Sequence, residues 1–376
     1  MKPSRNRCAA VVGAATAAIV MLTTATAHAA PADDHAATRA ALKTFQSAAG
    51  PGAAVHAGDS TGSWTLSAGT GTINTNKPIQ ADEHFRIGSQ TKTFTAATVL
   101  QLVDEGKVSL DAYIDTYLPG TVTGNGYDGT RITVRHLLQH TSGIARYEPL
   151  NSLALAEPDG TFKTAKLVKE GLKHAPVSAP GAGLTYSNTN YLVLGMLIEK
   201  VTGLPVHEAV TQRIVEPLGL TRTVFPAPGK RALPAPAVPG YHGVRIGSFY
   251  FWSAVISYDP SVFGAAGAMV STLTDLSTFY GALTAGKVLS PAALAEMEKV
   301  RDVGGAGYGL GIQKVNLSCG GAAWGHNGAV PGYFTQTLVT EDGRHASVMT
   351  NAYLASNPAG DKLGTLLDTA LCEGRG

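Results

Sequence analysis

The chain is poor in charge and in cysteine. Beyond its first thirty residues it has no long hydrophobic run. Only 15% of its 376 residues are charged, the formal net charge is +2, and no basic block stands out. Nucleic-acid binding is therefore not expected. Apolar content is a normal 44%, so the low charge does not signal disorder. The histidines and carboxylates are scattered without a ligand spacing such as H-E-x-x-H, and no metal site is expected. No internal repeat is found. No segment after the N-terminal stretch is long and apolar enough to span a bilayer, so no membrane anchor is expected.

The N-terminus itself reads as a secretory signal. Lys2, Arg5 and Arg7 precede an apolar run from Ala9 to Leu22, and Ala27-His28-Ala29 supplies small residues at a cleavage position. Residues 1–29 are expected to be removed, giving a secreted chain. Cys8 precedes the apolar run and cannot be a lipidated cysteine. Two cysteines then remain, Cys319 and Cys372. Export predicts a disulfide between them, tying the C-terminal tail to a strand.

Hydrophobic periodicity predicts helices over 35–48, 134–139, 164–173, 189–201, 206–215, 272–285, 291–300 and 359–371. Alternation predicts strands over 53–57, 63–68, 308–315, 322–326, 333–339 and 346–350, with a turn at Asp342-Gly343. Gly58-Asp59-Ser60-Thr61-Gly62 matches the G-x-S-x-G of a nucleophile elbow. A strand follows it where an elbow needs a helix, so it is read as a hairpin turn. Residues 226–258, rich first in proline and then in aromatics, are expected to form a long surface loop. Strands at both chain ends and helices between them predict an α+β fold. One antiparallel sheet, flanked by helices, is built from both termini (about 30–88 and 272–376), and an all-helical lobe (about 89–271) is inserted. Residues 30–376 are expected to form a single domain.

The chemistry centres on Phe85-Arg86-Ile87-Gly88-Ser89-Gln90-Thr91-Lys92. The chain breaks at Gly88 and begins a helix at Ser89, and Lys92 follows on the same helical face. The helix N-terminus favours a developing oxyanion, and the amine can activate the hydroxyl without a histidine. Standing alone, Ser89 fits an ordinary N-cap equally well. Two further pieces join it: Tyr186-Ser187-Asn188, ahead of an apolar helix, and His326-Asn327-Gly328, after a strand. Separately these read as a core tyrosine, a helix cap, a structural histidine and a tight turn.

In this order and spacing the three pieces resemble the serine penicillin-recognising family, which comprises DD-peptidases and class C β-lactamases. Y-x-N with His-x-Gly is most similar to the secreted actinomycete D-alanyl-D-alanine carboxypeptidases. Leu102-Val103-Asp104-Glu105-Gly106-Lys107, Gly195-Met196-Leu197-Ile198-Glu199-Lys200 and Tyr308-Gly309-Leu310-Gly311 extend the likeness over nearly the whole chain.

The resemblance implies that Ser89 becomes an acyl ester and that its proton leaves through Lys92 or Tyr186. Lys92 and a protonated His326 would be the cations that lower the Tyr186 pKa. Asn188 would bind the substrate amide, and the N–H groups of Ser89 and Ala329 would hold the oxyanion. No cofactor is implied. The carboxypeptidases hold the substrate carboxylate with an arginine six residues before the cysteine and with hydroxyls beside the third motif. Those positions are Gln313, Asn327 and Ala329, flanking Gly328. The clamp lacks its bidentate cation, and Lys314 on the same strand should point to the other face. The expected activity is that of a monomeric D-alanyl-D-alanine carboxypeptidase acting on peptidoglycan stem peptides and acylated by β-lactams. The weakened clamp leaves a D-stereospecific amidase, aminopeptidase or esterase, or a class C-like β-lactamase, as alternatives. A penicillin- or wall-binding module with little turnover is the non-enzymatic alternative.

Overall fold

A helix and a hairpin open the fold as the residue pattern predicts. Helix α1 (Ala36–Ala49) buries Leu42, Phe45 and Ala49 along one stripe. Strands β1 (Gly52–Asp59) and β2 (Gly62–Gly69) pair antiparallel. Asp59 closes their turn, accepting from the Thr61 N–H at 2.8 Å and the Thr61 hydroxyl at 2.6 Å. The G-x-S-x-G segment is thus a hairpin turn.

The structure, a computed structural model, describes residue 1 and residues 35–374 apart from 150, 247–248, 256, 304–305 and 355–358. Cys8 and the expected signal and cleavage segment lie outside the described residues. No described helix is long and apolar enough to cross a membrane.

Six more strands complete the main sheet: β3 (Arg301–Val303), β4 (Ala306–Tyr308), β5 (Gln313–Asn316), β6 (Ala322–Val330), β7 (Tyr333–Thr340) and β8 (His345–Thr350). Their order is β2-β1-β8-β7-β6-β5-β4-β3, antiparallel throughout. The N-terminal hairpin therefore adds to the last strand, and both chain ends build one sheet. Alternation divides its side chains. Val55, Leu338 and Val348 meet Phe45 of α1 and Leu366 on one face, while Ala54, Val339 and Met349 join the larger core on the other.

Four more long helices matter here: α2 (Thr91–Asp104), α3 (Asn188–Thr202), α4 (Leu273–Thr284) and α5 (Gly360–Cys372). Helix α2 buries every residue from Thr91 to Leu100, and Phe94 stacks on Phe279 of α4 with ring centroids 3.6 Å apart. Helix α3, apolar on nearly every side, is likewise buried.

Several boundaries differ from expectation. The strand expected over 308–315 is split into β4 and β5. Gly311 adopts φ +76°, and the Leu310 N–H leaves the ladder to donate to Met297 O. Within 226–258 the aromatic stretch is a hairpin, Tyr241–Ile246 with Phe249–Ala254, because aromatic and β-branched residues suit strands. The segment 89–271 carries this hairpin and a shorter one, Thr123–Gly124 with Tyr127–Asp128, beside its helices. Helix 206–215 is α-helical only over Val206–Val210 and continues as a π-helical turn, Thr211–Val215.

Cys319, after β5, is bonded to Cys372 at the end of α5. The bond closes a loop with a sequence separation of 53, worth about 4 kcal/mol in the chain-entropy account. A Cys319→Ala, Cys372→Ala double variant should lose about that much in a denaturant titration; an unchanged midpoint would contradict it.

Candidate active site

Two backbones press together to build the site. Strand Phe85–Arg86 pairs with Val270–Ser271, and the chain then turns at Gly88. Gly88 adopts φ +52°, and a Cβ there would lie 2.9 Å from Ala329 N. A Cβ on Gly328 would lie 1.9 Å from Ile87 O. Only glycine at both positions lets the turn lie flat on β6, which brings Ala329 beside the segment carrying Ser89. Ser89 sits in a 3-10 turn, Gly88–Gln90, one step ahead of α2 rather than inside it. Gln90 anchors that turn by donating to Thr335 Oγ1 of β7 at 3.0 Å. Ser89 stays partly exposed while its neighbours are buried.

Lys92 is fully buried, and its Nζ lies 3.1 Å from Ser89 Oγ, 2.8 Å from Asn188 Oδ1 and 2.7 Å from Ala266 O. No carboxylate is paired with it among the described residues. Burial pushes its pKa well below the ordinary lysine value. A neutral amine has two N–H donors and one lone pair. The two donors are taken by Asn188 Oδ1 and Ala266 O, neither of which can donate to the amine. The lone pair is left facing the Ser89 hydroxyl, which is the geometry of a general base.

Tyr186 lies across the site, its ring centroid 4.8 Å from Lys92 Nζ. The residue is partly exposed, but its Oη is sealed from solvent and has no hydrogen-bond partner among the described residues. Burial pushes the phenol pKa up, opposed by the Ser89 hydroxyl. The hydroxyl acts on the phenol without a closed hydrogen bond. Contacts of this kind tighten when substrate arrives. The expectation that cations lower this pKa is therefore corrected: desolvation raises it, and Tyr186 is a protonated acid. Asn188, expected to bind substrate, spends its oxygen on Lys92.

His326 is also corrected. It is fully buried, and burial pushes its pKa down to about 3. It is not a cation at neutral pH. Its Nδ1 donates to Asn327 O at 2.6 Å, so its Nε2 accepts from the Tyr308 hydroxyl at 3.0 Å. Both nitrogens are occupied away from Ser89.

Gln313 and Asn327 lie as diagonal neighbours on one face of β5 and β6, because Gln313 pairs with Gly325. Gln313 Nε2 reaches Asn327 Oδ1 at 3.3 Å. Lys314 lies on the opposite face, over the Trp324 ring at 5.4 Å. The clamp position thus holds two amides, which close on each other.

Three participants escaped the sequence reading: Ala266 O, Tyr308 and His140. A backbone carbonyl leaves no signal in a sequence. Tyr308 stood within the Tyr308-Gly309-Leu310-Gly311 stretch without a role. His140 heads His140-Thr141-Ser142-Gly143, a polar turn closing a helix, and its ring centroid lies 4.2 Å from that of Tyr186. Among the described residues no group of three or more His, Cys, Asp or Glu could hold a metal.

A serine, a buried amine and a phenol converging beside a strand-borne N–H define a serine hydrolase of the penicillin-binding kind. The beta-lactamase family profile matches residues 22–367, and the chain belongs to that family. A D-stereospecific amidohydrolase from Streptomyces sp. superposes with a TM-score of 0.80 at 40% identity, covering 90% of this chain and 98% of that one. A D-amino acid amidase from Ochrobactrum anthropi SV3 gives a TM-score of 0.78 at 24% identity over 90% and 98%, a likeness of fold. Penicillin-binding protein 4 of Amycolatopsis lactamdurans is 29% identical over 310 residues, 78% of each chain. The chain spans 58% and 60% of the length of two further curated relatives.

Proposed function

We propose that this protein is an exported D-stereospecific amidohydrolase working through an acyl-Ser89 ester. Neutral Lys92 takes the Ser89 proton as Oγ attacks the amide carbonyl. The N–H groups of Ser89 and Ala329 receive the oxyanion. Tyr186, kept protonated by burial, donates to the leaving amine as the C–N bond breaks. Water then attacks the ester, giving its proton to the Tyr186 phenolate, and Ser89 leaves as the restored hydroxyl by taking back the proton held on Lys92. In acylation Lys92 is the acceptor and Tyr186 the donor, each matched to the direction in which burial moves its pKa. The observation that carries this reading is Lys92 Nζ at 3.1 Å from Ser89 Oγ with its two donors held by Asn188 and Ala266.

The Gln313–Asn327 pair favours amides over free C-terminal acids, because the clamp position carries an amide where a guanidinium would receive a carboxylate. The 40% identity to the Streptomyces amidohydrolase supports the same preference. The carboxypeptidase reading on D-alanyl wall peptides and acylation by β-lactams remain proposals on the same machinery. A D-Ala-D-Ala peptide should be compared with its C-terminal amide. The amide should be turned over at least as well as the free acid, and Gln313→Arg should raise the relative kcat/KM of the free acid by about tenfold. A preference for the free acid of about a hundredfold in the unaltered protein would defeat the proposal.

A further inference from the structure

We propose that His140 is the positioning residue that aims Tyr186. The proposal rests on Tyr186 acting as the acid. Tyr186 Oη has no hydrogen-bond partner among the described residues, so the phenol is aimed by its backbone and ring contacts. His140 holds both. Its carbonyl accepts from Thr185 N–H at 2.8 Å, and its Nδ1 accepts from Ser187 N–H at 3.2 Å. These are the residues on either side of Tyr186. The imidazole also packs against the phenol ring, centroids 4.2 Å apart, closer than Tyr308 at 6.2 Å or His326 at 6.3 Å.

The clamp requires one tautomer, and a second network sets it. Ile144 N–H donates to Ser142 Oγ at 3.0 Å, and the Ser142 hydroxyl donates to Asn190 Oδ1 at 2.7 Å. That leaves the Asn190 amide nitrogen to donate to His140 Nδ1 at 3.2 Å. Nδ1 therefore accepts from two donors, and the proton sits on Nε2. His140 also takes φ +58°, a left-handed conformation that is costly for a non-glycine residue. The surrounding bonds hold that strained conformation, and through it the reach of His140 to both sides of Tyr186.

The test compares a D-amino acid amide with the p-nitrophenyl ester of the same acyl group. The amide needs a proton on its leaving nitrogen; the nitrophenolate leaves without one. His140→Gly accepts the backbone conformation but loses the imidazole. It should lower kcat/KM for the amide by about a hundredfold and for the ester by less than about fivefold. His140→Asn tolerates positive φ and presents an oxygen near the lost Nδ1, and should recover the amide to within about tenfold of the unaltered enzyme. Asn190→Asp offers Nδ1 an acceptor in place of a donor, draws the proton onto Nδ1, and should show the same amide-selective loss should His140→Gly fail to fold. Equal losses on amide and ester in His140→Gly or Asn190→Asp would overturn the proposal. Tyr186→Phe is run alongside: an unselective Tyr186→Phe overturns the acid assignment and this proposal with it. A selective Tyr186→Phe with unselective His140 and Asn190 variants overturns this proposal alone.

Discussion

Lys92→Met should lower turnover by about a thousandfold or more while the protein still folds. General-base catalysis contributes roughly 10²–10⁴, and among the described residues no other side chain is placed to take the Ser89 proton. Tyr186 is held protonated, and both nitrogens of His326 are engaged elsewhere. Methionine roughly matches the length and apolar stem of lysine, so the buried channel stays filled. What it loses is the donor to Asn188 Oδ1 and Ala266 O. The pH profile follows from the same burial. Lys92 acts as the free amine, so activity is present above its pKa and is lost as the pH falls through it. Burial moves that pKa well below the ordinary lysine value of about 10.4. The enzyme should therefore be active at neutral pH, with an acid limb. Activity that first rises near pH 10 would mean a normal, charged lysine and would contradict the assignment.

Tyr186→Phe should cost amide turnover about a hundredfold or more, within the range of general-acid catalysis. Its Oη makes no hydrogen bond among the described residues, so removing it orphans no partner there. The folded state should be unharmed, or slightly more stable, because a buried unsatisfied hydroxyl is gone. A large activity loss with an undiminished melting temperature is the expected pair of results. A variant that loses stability in proportion to activity would show that the phenol is structural.

Much of this site was legible because it is local. Gly88, Ser89 and Lys92 lie within one turn of chain, and the spacing of helix faces brings hydroxyl and amine together whatever the rest of the protein does. Strands β1, β6, β7 and β8 were legible as runs rich in apolar and β-branched residues, because they are buried along most of their length between two cores. The protonation states were not legible. Tyr186, Lys92 and His326 come from three distant segments, and only their joint burial decides which carries a proton. That is why a histidine expected as a cation is neutral at a pKa of about 3. His140 was missed for a related reason. Its contacts to Thr185 and Ser187 depend on a left-handed backbone that no periodicity announces. The break between β4 and β5 could have been read from Gly309 and Gly311, since glycine in a strand marks a departure from the ladder.

The most direct measurement of the central claim is trapping the acyl-enzyme. The protein, incubated with a fluorescent penicillin, should gain one label, and peptide mapping should place it on Ser89; Ser89→Ala should gain none. Equal labelling of Ser89→Ala, or an adduct mapped to another residue, would contradict the account.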